Sequence, residues 1–203
     1  EIKAENFTLK GGLRYETTST TGSGATPDIS GSKTYGLLLP AANITYYIDK
    51  SQYLSINLGR RIRRPGFRDL NPFKEQKDPT KITKGNPDLK PERAWAYELG
   101  YLKNFSRLNI GANLFYRDIH DIIQKTLTED DYYVVTEKPE NTGRARVLGY
   151  ELMSTAQPLD FWQITASFSQ FDSKITTGEY AGDALKDQFR WTAKGITDFK
   201  LPK

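Results

Sequence analysis

A period of two, repeated in segment after segment, constrains this chain more than any other feature, and the segments are joined by connections that alternate between very short and very long. Residues 93–103 show the period. Trp95, Tyr97, Leu99 and Tyr101 fall on one face, and Ala94, Ala96, Glu98 and Gly100 on the other. Aromatic and apolar groups opposite small or charged ones suit a strand between lipid and a polar lumen. A half-buried strand of a soluble sandwich has a similar pattern, so this segment alone leaves both readings open. Just before it, Gly85-Asn86-Pro87-Asp88-Leu89-Lys90-Pro91-Glu92 reads as a loop. Pro87 and Pro91 lack an N–H and press Asn86 and Lys90 toward extended conformations.

The same reading predicts strands over 6–18, 35–48, 53–62, 93–103, 107–118, 144–156, 161–171 and 187–201, about eight in all. Short turns fall near Asp49, Phe105 and Pro158, and long connections near Gly22, Pro79, Glu129 and Tyr180. Such alternation puts turns on one rim and loops on the other, the plan of an outer-membrane barrel, whereas a sandwich has no reason to keep it. Tyr46, Tyr101 and Trp162 sit beside short turns, and Trp95, Tyr116 and Trp191 beside long loops, as two interfacial girdles would. The expected fold is therefore all-β, an antiparallel up-and-down transmembrane β-barrel segment over residues 1–203. Long extracellular loops are expected at about 19–34, 63–92, 119–143 and 173–186. The second contains Pro65, Pro72, Pro79, Pro87 and Pro91, which predicts neither a helix nor a central strand.

Composition agrees with this reading. Charged residues make up 27% of the chain, yet aromatics reach 12%, which argues against disorder. No run of about 18 apolar residues marks a transmembrane helix, which says nothing against strands. There are no cysteines, so disulfides and thiolate metal sites are ruled out. The net charge of +4 is spread along the chain except at Arg60-Arg61-Ile62-Arg63-Arg64, which closes a strand and is not read as a nucleic-acid site. Glu1-Ile2-Lys3-Ala4 does not read as a signal peptide, so an earlier segment is expected to have been removed or to precede it.

Four stretches, in order, resemble TonB-dependent outer-membrane receptors: Arg60 to Phe73 (RRIRRPGFRDLNPF), Gly85 to Glu92 with Tyr97-Glu98-Leu99-Gly100-Tyr101, Asn113 to Ile123 (NLFYRDIHDII), and Asn141-Thr142-Gly143 with Gly149-Tyr150-Glu151. The first looks most like the Bacteroidota-type receptors. The resemblance implies a larger, plugged barrel of about 22 strands, of which this chain would be part of the C-terminal half. It implies energy-coupled uptake of a scarce ligand (a siderophore, cobalamin, an oligosaccharide or a peptide) and a bacterial outer-membrane location. It also implies TonB as a partner, through a plug domain not in this chain, and contact with outer-membrane lipid and lipopolysaccharide. The plug and the terminal aromatic residue of the family are missing, since the chain ends Leu201-Pro202-Lys203. A complete eight-stranded barrel, a non-transporting surface-binding barrel and a soluble polysaccharide-binding β-domain remain open.

No catalytic constellation stands out, so no enzyme, cofactor or resident metal is expected. Asp118 and His120 share a strand face and read as a polar strand end before they read as metal ligands. Glu129-Asp130-Asp131 lacks the oxygen spacing of a calcium loop. The ligand-binding candidates are Arg60, Arg61, Arg63, Arg64, Arg117 and His120. The basic knot suits an anionic ligand, lipopolysaccharide phosphates, or ion pairs with acidic neighbours such as Asp69. Asn57, Asn109, Asn113, Glu98 and Arg117 are expected to face the lumen, as packing for a plug.

Overall fold

The computed structural model describes residues 1–22, 31–177 and 188–200. Eight long strands form the wall: β2 (Phe7–Gly22), β3 (Gly31–Asp49), β4 (Gln52–Arg63), β7 (Glu92–Asn104), β8 (Leu108–His120), β11 (Arg144–Leu159), β12 (Trp162–Thr177) and β13 (Gln188–Phe199). With the short β1 (Ile2–Ala4) at one edge they make a nine-stranded antiparallel sheet in the order β1-β2-β3-β4-β7-β8-β11-β12-β13. Each long strand pairs with its neighbours in sequence, apart from the excursions after β4 and β8. The open sheet is a sector of a barrel wall.

Burial is inverted relative to a soluble domain. Along β4, Leu54, Ile56 and Leu58 are exposed while Ser55, Asn57 and Gly59 are half-buried. Ile44, Ile56, Leu99 and Leu114 are successive register partners across β3, β4, β7 and β8. Three of them stand out in solvent at 51%, 47% and 48% exposure (Ile56, Leu99 and Leu114). Apart from Pro91 and Pro139, only five apolar side chains are buried among the described residues: Leu39, Leu89, Ala96, Phe115 and Ala145. An apolar face this extensive does not stay in water on a folded monomer, so lipid is its solvent.

The opposite face is lined by small and polar groups. Lys10, Asn43, Asn57 and Glu98 form one register row across it, and Gly12, Ala41, Gly59, Ala96 and Arg117 the next. A hollow of about 810 Å³ lies over these residues apart from Arg117, which makes this the concave, lumenal face. Phe115 breaks the polar alternation here for a local reason. A Cβ on Gly149, its register partner on β11, would lie 2.5 Å from the Phe115 Cζ and 2.6 Å from the Phe171 Cβ. The missing side chain lets the Phe115 ring lie flat on the wall, with the Arg117 guanidinium 5.2 Å from its centroid.

Two expectations need correction. The turn expected near Pro158 falls instead at Asp160 and Phe161, because β11 runs on to Leu159 through a register irregularity between Ala156 and Leu159. Pro158 sits in that irregularity, where no ladder bond is required of it. The proline-rich stretch after β4, expected to hold neither helix nor central strand, contains a one-turn helix α1 (Phe67–Leu70) and two strands, β5 (Lys74–Asp78) and β6 (Lys81–Lys84). Its prolines fall between these elements, so the breakers set their limits without preventing them. After β8, β9 (Ile123–Glu129) and β10 (Val135–Asn141) form a hairpin. The four strands make a second sheet in the order β5-β6-β10-β9, with β6 and β10 parallel. The other two long connections, expected near Gly22 and Tyr180, have their middles outside the described residues, as does Leu201-Pro202-Lys203.

Candidate functional site

The motif residues converge on one place, the rim where the long connections leave the wall. Gly85 comes first. Its N–H donates to the Asn71 carbonyl at 2.8 Å, and the Asn86 N–H donates to the Asp69 carbonyl at 2.6 Å. A Cβ on Gly85 would stand 2.3 Å from the Asn71 oxygen and 2.8 Å from the Arg68 oxygen, so only glycine lets these backbones meet. The Asn86 amide then donates to the Pro139 carbonyl at 3.1 Å. Leu89 is 1% exposed, and Lys33 from β3 donates to the carbonyls of Asp88 (2.7 Å) and Leu89 (3.0 Å).

Asn141 acts as a clasp. Its Oδ1 accepts from the Lys90 N–H at 2.8 Å, and its Nδ2 donates to the carbonyls of Lys90 (2.9 Å) and Asp121 (2.8 Å). A side-chain amide here replaces a strand partner, satisfying an extended segment between two prolines. Gly143 follows at φ 77, a left-handed conformation that turns the chain into β11. Glu92, 8% exposed, accepts from Arg63 at 2.6 Å and from the Ile123 N–H at 2.8 Å. Above the rim, Glu137 accepts from Lys125 and, at 3.1 Å, from Lys81, tying β6, β9 and β10 together. The Lys125 hydrogen bond, then that of Lys81, holds the Glu137 carboxyl below its ordinary range despite partial burial.

The six candidates separate. Arg63 is held by Glu92, and Arg64 by Glu16 and the Thr18 hydroxyl (3.0 Å). Asp69, the expected partner, instead accepts from the Gly66 N–H at 3.0 Å, closing the turn of α1. Its carboxylate serves its own loop, and acids from β2 and β7 take the arginines. Arg60 lies on the lipid face, with Nη1 3.4 Å from the Leu38 carbonyl. Arg117 stacks on Phe115. His120 lies on the outer face, its Nε2 3.4 Å from an Asp118 oxygen that Arg144 also holds at 2.6 Å. Arg61 is the freest of the six. It points into the lumenal hollow, 66% exposed, and its nearest acid is Glu98 at 3.6 Å. Lys10 and Arg14, which the sequence reading passed over, line the same hollow from β2. Their signal was register: both lie on the face opposite Leu9 and Leu13.

The acidic tip at Glu129-Asp130-Asp131 is used locally, since Asp130 Oδ1 accepts from the N–H groups of Tyr132 and Val134, each at 2.9 Å. Among the described residues no group of three or more His, Cys, Asp or Glu is placed to hold a metal ion.

A profile of the outer membrane protein beta-barrel family matches residues 1–203. No curated protein sequence matches the chain. Among solved structures, the siderophore receptor PirA from Pseudomonas aeruginosa superposes with a TM-score of 0.73 at 14% identity, covering 97% of this chain and 34% of that one. The alcaligin outer-membrane receptor FauA from Bordetella pertussis gives 0.63 at 21% identity over 100% of this chain and 33% of that one. The copper transporter OprC gives 0.65 at 20% identity over 86% and 28%. The chain thus spans about a third or less of the proteins whose wall it shares.

Proposed function

The chain belongs to the outer membrane protein beta-barrel family, and from that premise we propose that it is a wall sector, with two of the outer loops, of a TonB-dependent receptor that takes up a scarce ligand across the bacterial outer membrane. One observation carries this reading. The lipid face is continuously apolar while the lumenal face presents Lys10, Arg14 and Arg61 around an open hollow. The long-connection rim is read as the extracellular one, and the β5-β6-β10-β9 sheet as part of the surface that a ligand meets first. Arg14 is held by Glu16 at 2.7 Å, which leaves Arg61 and Lys10, their nearest acids Glu98 at 3.6 Å and Glu1 at 3.8 Å, as the cations that favour an anionic cargo, of which a metal chelate is one kind. The siderophore receptors that share the fold support that choice. Transport itself would run through a plug and TonB, beyond the residues described.

The test uses the full-length receptor. Uptake of ferric chelates by a strain carrying it should depend on TonB, and Arg61→Ala should weaken binding of an anionic chelate several-fold while leaving a neutral oligosaccharide unaffected. TonB-independent growth, or equal loss for both ligands, would sink the reading.

A further inference from the structure

The outer sheet ends at β5 on one side and at β9 on the other, and the two edges are built differently. β5 is short, its register with β6 slips between Gln76 and Asp78, and Pro79 stops it, so it offers little to an incoming strand. β9 runs seven residues in unbroken register with β10 and contains no proline. Among the described residues no strand pairs with its outer side. An unguarded edge of this kind is a template for another strand.

The ladder fixes which groups the edge presents. Just before β9 the Ile122 carbonyl accepts from the Thr142 N–H at 2.7 Å, and just after it the Asp130 N–H donates to the Val134 carbonyl at 3.1 Å. Both pairs extend the register of Ile123 with Asn141 and of Glu129 with Val135. Even-numbered residues therefore spend their main-chain groups on β10, and odd-numbered ones turn theirs outward. Ile123 agrees, since its N–H is taken by Glu92 at 2.8 Å, which closes the edge at the rim. Farther along, Leu127 and Glu129 turn N–H and carbonyl to the open side. The Leu127 side chain is 61% exposed, and the exposed Glu129 carboxylate has no partner among the described residues. Left-handed residues flank the hairpin, Asp121 at φ 57 and Gly143 at φ 77, and turn it out of the line of the wall.

The segment Lys125-Thr126-Leu127-Thr128-Glu129 is self-complementary. Laid antiparallel against a second copy about Leu127, it sets Leu127 opposite Leu127, Thr126 opposite Thr128, and Glu129 opposite Lys125. Each of these is a favourable cross-strand pair. Lys125 already serves Glu137, but Lys81 serves that carboxylate too, so Glu137 keeps a cation when Lys125 also meets Glu129 of the second copy.

We infer that β9 is an interface between two copies of this receptor, whose outer sheets join edge to edge about a two-fold axis at Leu127. A closed two-fold uses the same patch twice and leaves no further edge of this kind open. The axis stands perpendicular to the sheet, so for two receptors in one membrane it follows the membrane normal and the joined sheet lies across both mouths. The interface rests on the outer sheet and not on what the receptor transports.

The chain contains no cysteine, which makes the test direct. Full-length receptor in isolated outer membranes is oxidised mildly and run on a non-reducing gel, with the unsubstituted receptor as baseline. Leu127→Cys should give a species of twice the mass, because Cα atoms of such a pair lie about 5.5 Å apart, within disulfide reach. Thr128→Cys puts its two thiols on a diagonal, with Cα atoms roughly 7–8 Å apart, and should stay monomeric, as should Gln76→Cys on the β5 edge. Adding Glu129→Lys to Leu127→Cys sets like charges opposite Lys125 twice and should lower the yield about tenfold. An unchanged heat-modifiable gel shift establishes that each variant is folded. A monomeric Leu127→Cys receptor overturns the interface, and so does equal yield from Thr128→Cys, which is chance collision. A cross-linked band of another mass assigns the edge to a different protein, and a yield indifferent to Glu129→Lys refutes the register; either also overturns the proposal.

Discussion

Replacing Asn141 by alanine should loosen both outer loops at once. The substitution removes three hydrogen bonds of 2.8, 2.9 and 2.8 Å, one accepted from and one donated to Lys90, and one donated to Asp121. Each contributes about 0.5–1.5 kcal/mol net, and water can reach the two at Lys90, so the lower end applies: about 2 kcal/mol in all. That corresponds to roughly a thirtyfold larger opening constant for the junction. Amide hydrogen exchange on the full-length receptor reads it. The useful amides are those of Ile123, bonded to Glu92, and Thr142, bonded to the Ile122 carbonyl. Neither bond involves the Asn141 side chain, so faster exchange there reports cooperative opening and not the trivial loss of one acceptor. Asn141→Asp keeps the acceptor for Lys90 but neither donor, and should fall between. Protection along the β7–β8 ladder should not move. If Ile123 and Thr142 exchange at the wild-type rate in Asn141→Ala, the junction is not held by this clasp, and the convergence of the motif residues has another cause.

Gly149→Ala should destabilise the wall by about 1–3 kcal/mol through overpacking, seen as a lower temperature for losing the heat-modifiable gel band. Its Cβ would meet the Gln170 carbonyl oxygen at 2.5 Å, which is backbone and cannot swing away; Gly11→Ala, with nothing within 4 Å, is the neutral control. Acid should release the outer sheet. The Glu137 carboxyl is held below its ordinary value of 4.5, so its stabilisation is complete above that value and disappears as pH falls through the depressed one. Exchange protection between β6 and β10 should therefore persist from pH 7 to about 5 and decline below 4.5, and Glu137→Gln should flatten the profile. A wild-type decline already complete at pH 6 would assign the effect to another group.

The wall was legible because its information is local. Side-chain alternation in segments such as 93–103 and 107–118 states which face each residue takes, and register then follows from short turns such as the one at Asp49. There the Ser51 hydroxyl, then its N–H, holds the carboxyl at about 2. The outer sheet was not legible, because its central pairing joins Lys81–Thr83 to Val135–Glu137, more than fifty residues apart and parallel. Nothing within either segment marks that partner. Pro139 lies in a strand that a local reading breaks; it is tolerated because β10 has already left β6 at Glu137 and needs no N–H on that side. The basic knot was visible as charge, but its partners Glu16, Glu92 and Glu98 come from other strands. Separating Arg61 from Arg63 and Arg64 required knowing which acids the fold delivers.

The parallel join between β6 and β10 also predicts where this chain can change in length. Between Asp130 and Val134 the hairpin tip closes on itself, so residues can be gained or lost there without disturbing any other strand. Between Lys81 and Lys84 the chain is in register with β5 on one side and β10 on the other, and a single insertion would shift both. Related sequences should therefore vary freely at the tip and hold a fixed count through 81–84 and 135–137, so that two loops separated in the chain drift in sequence but keep a common measure.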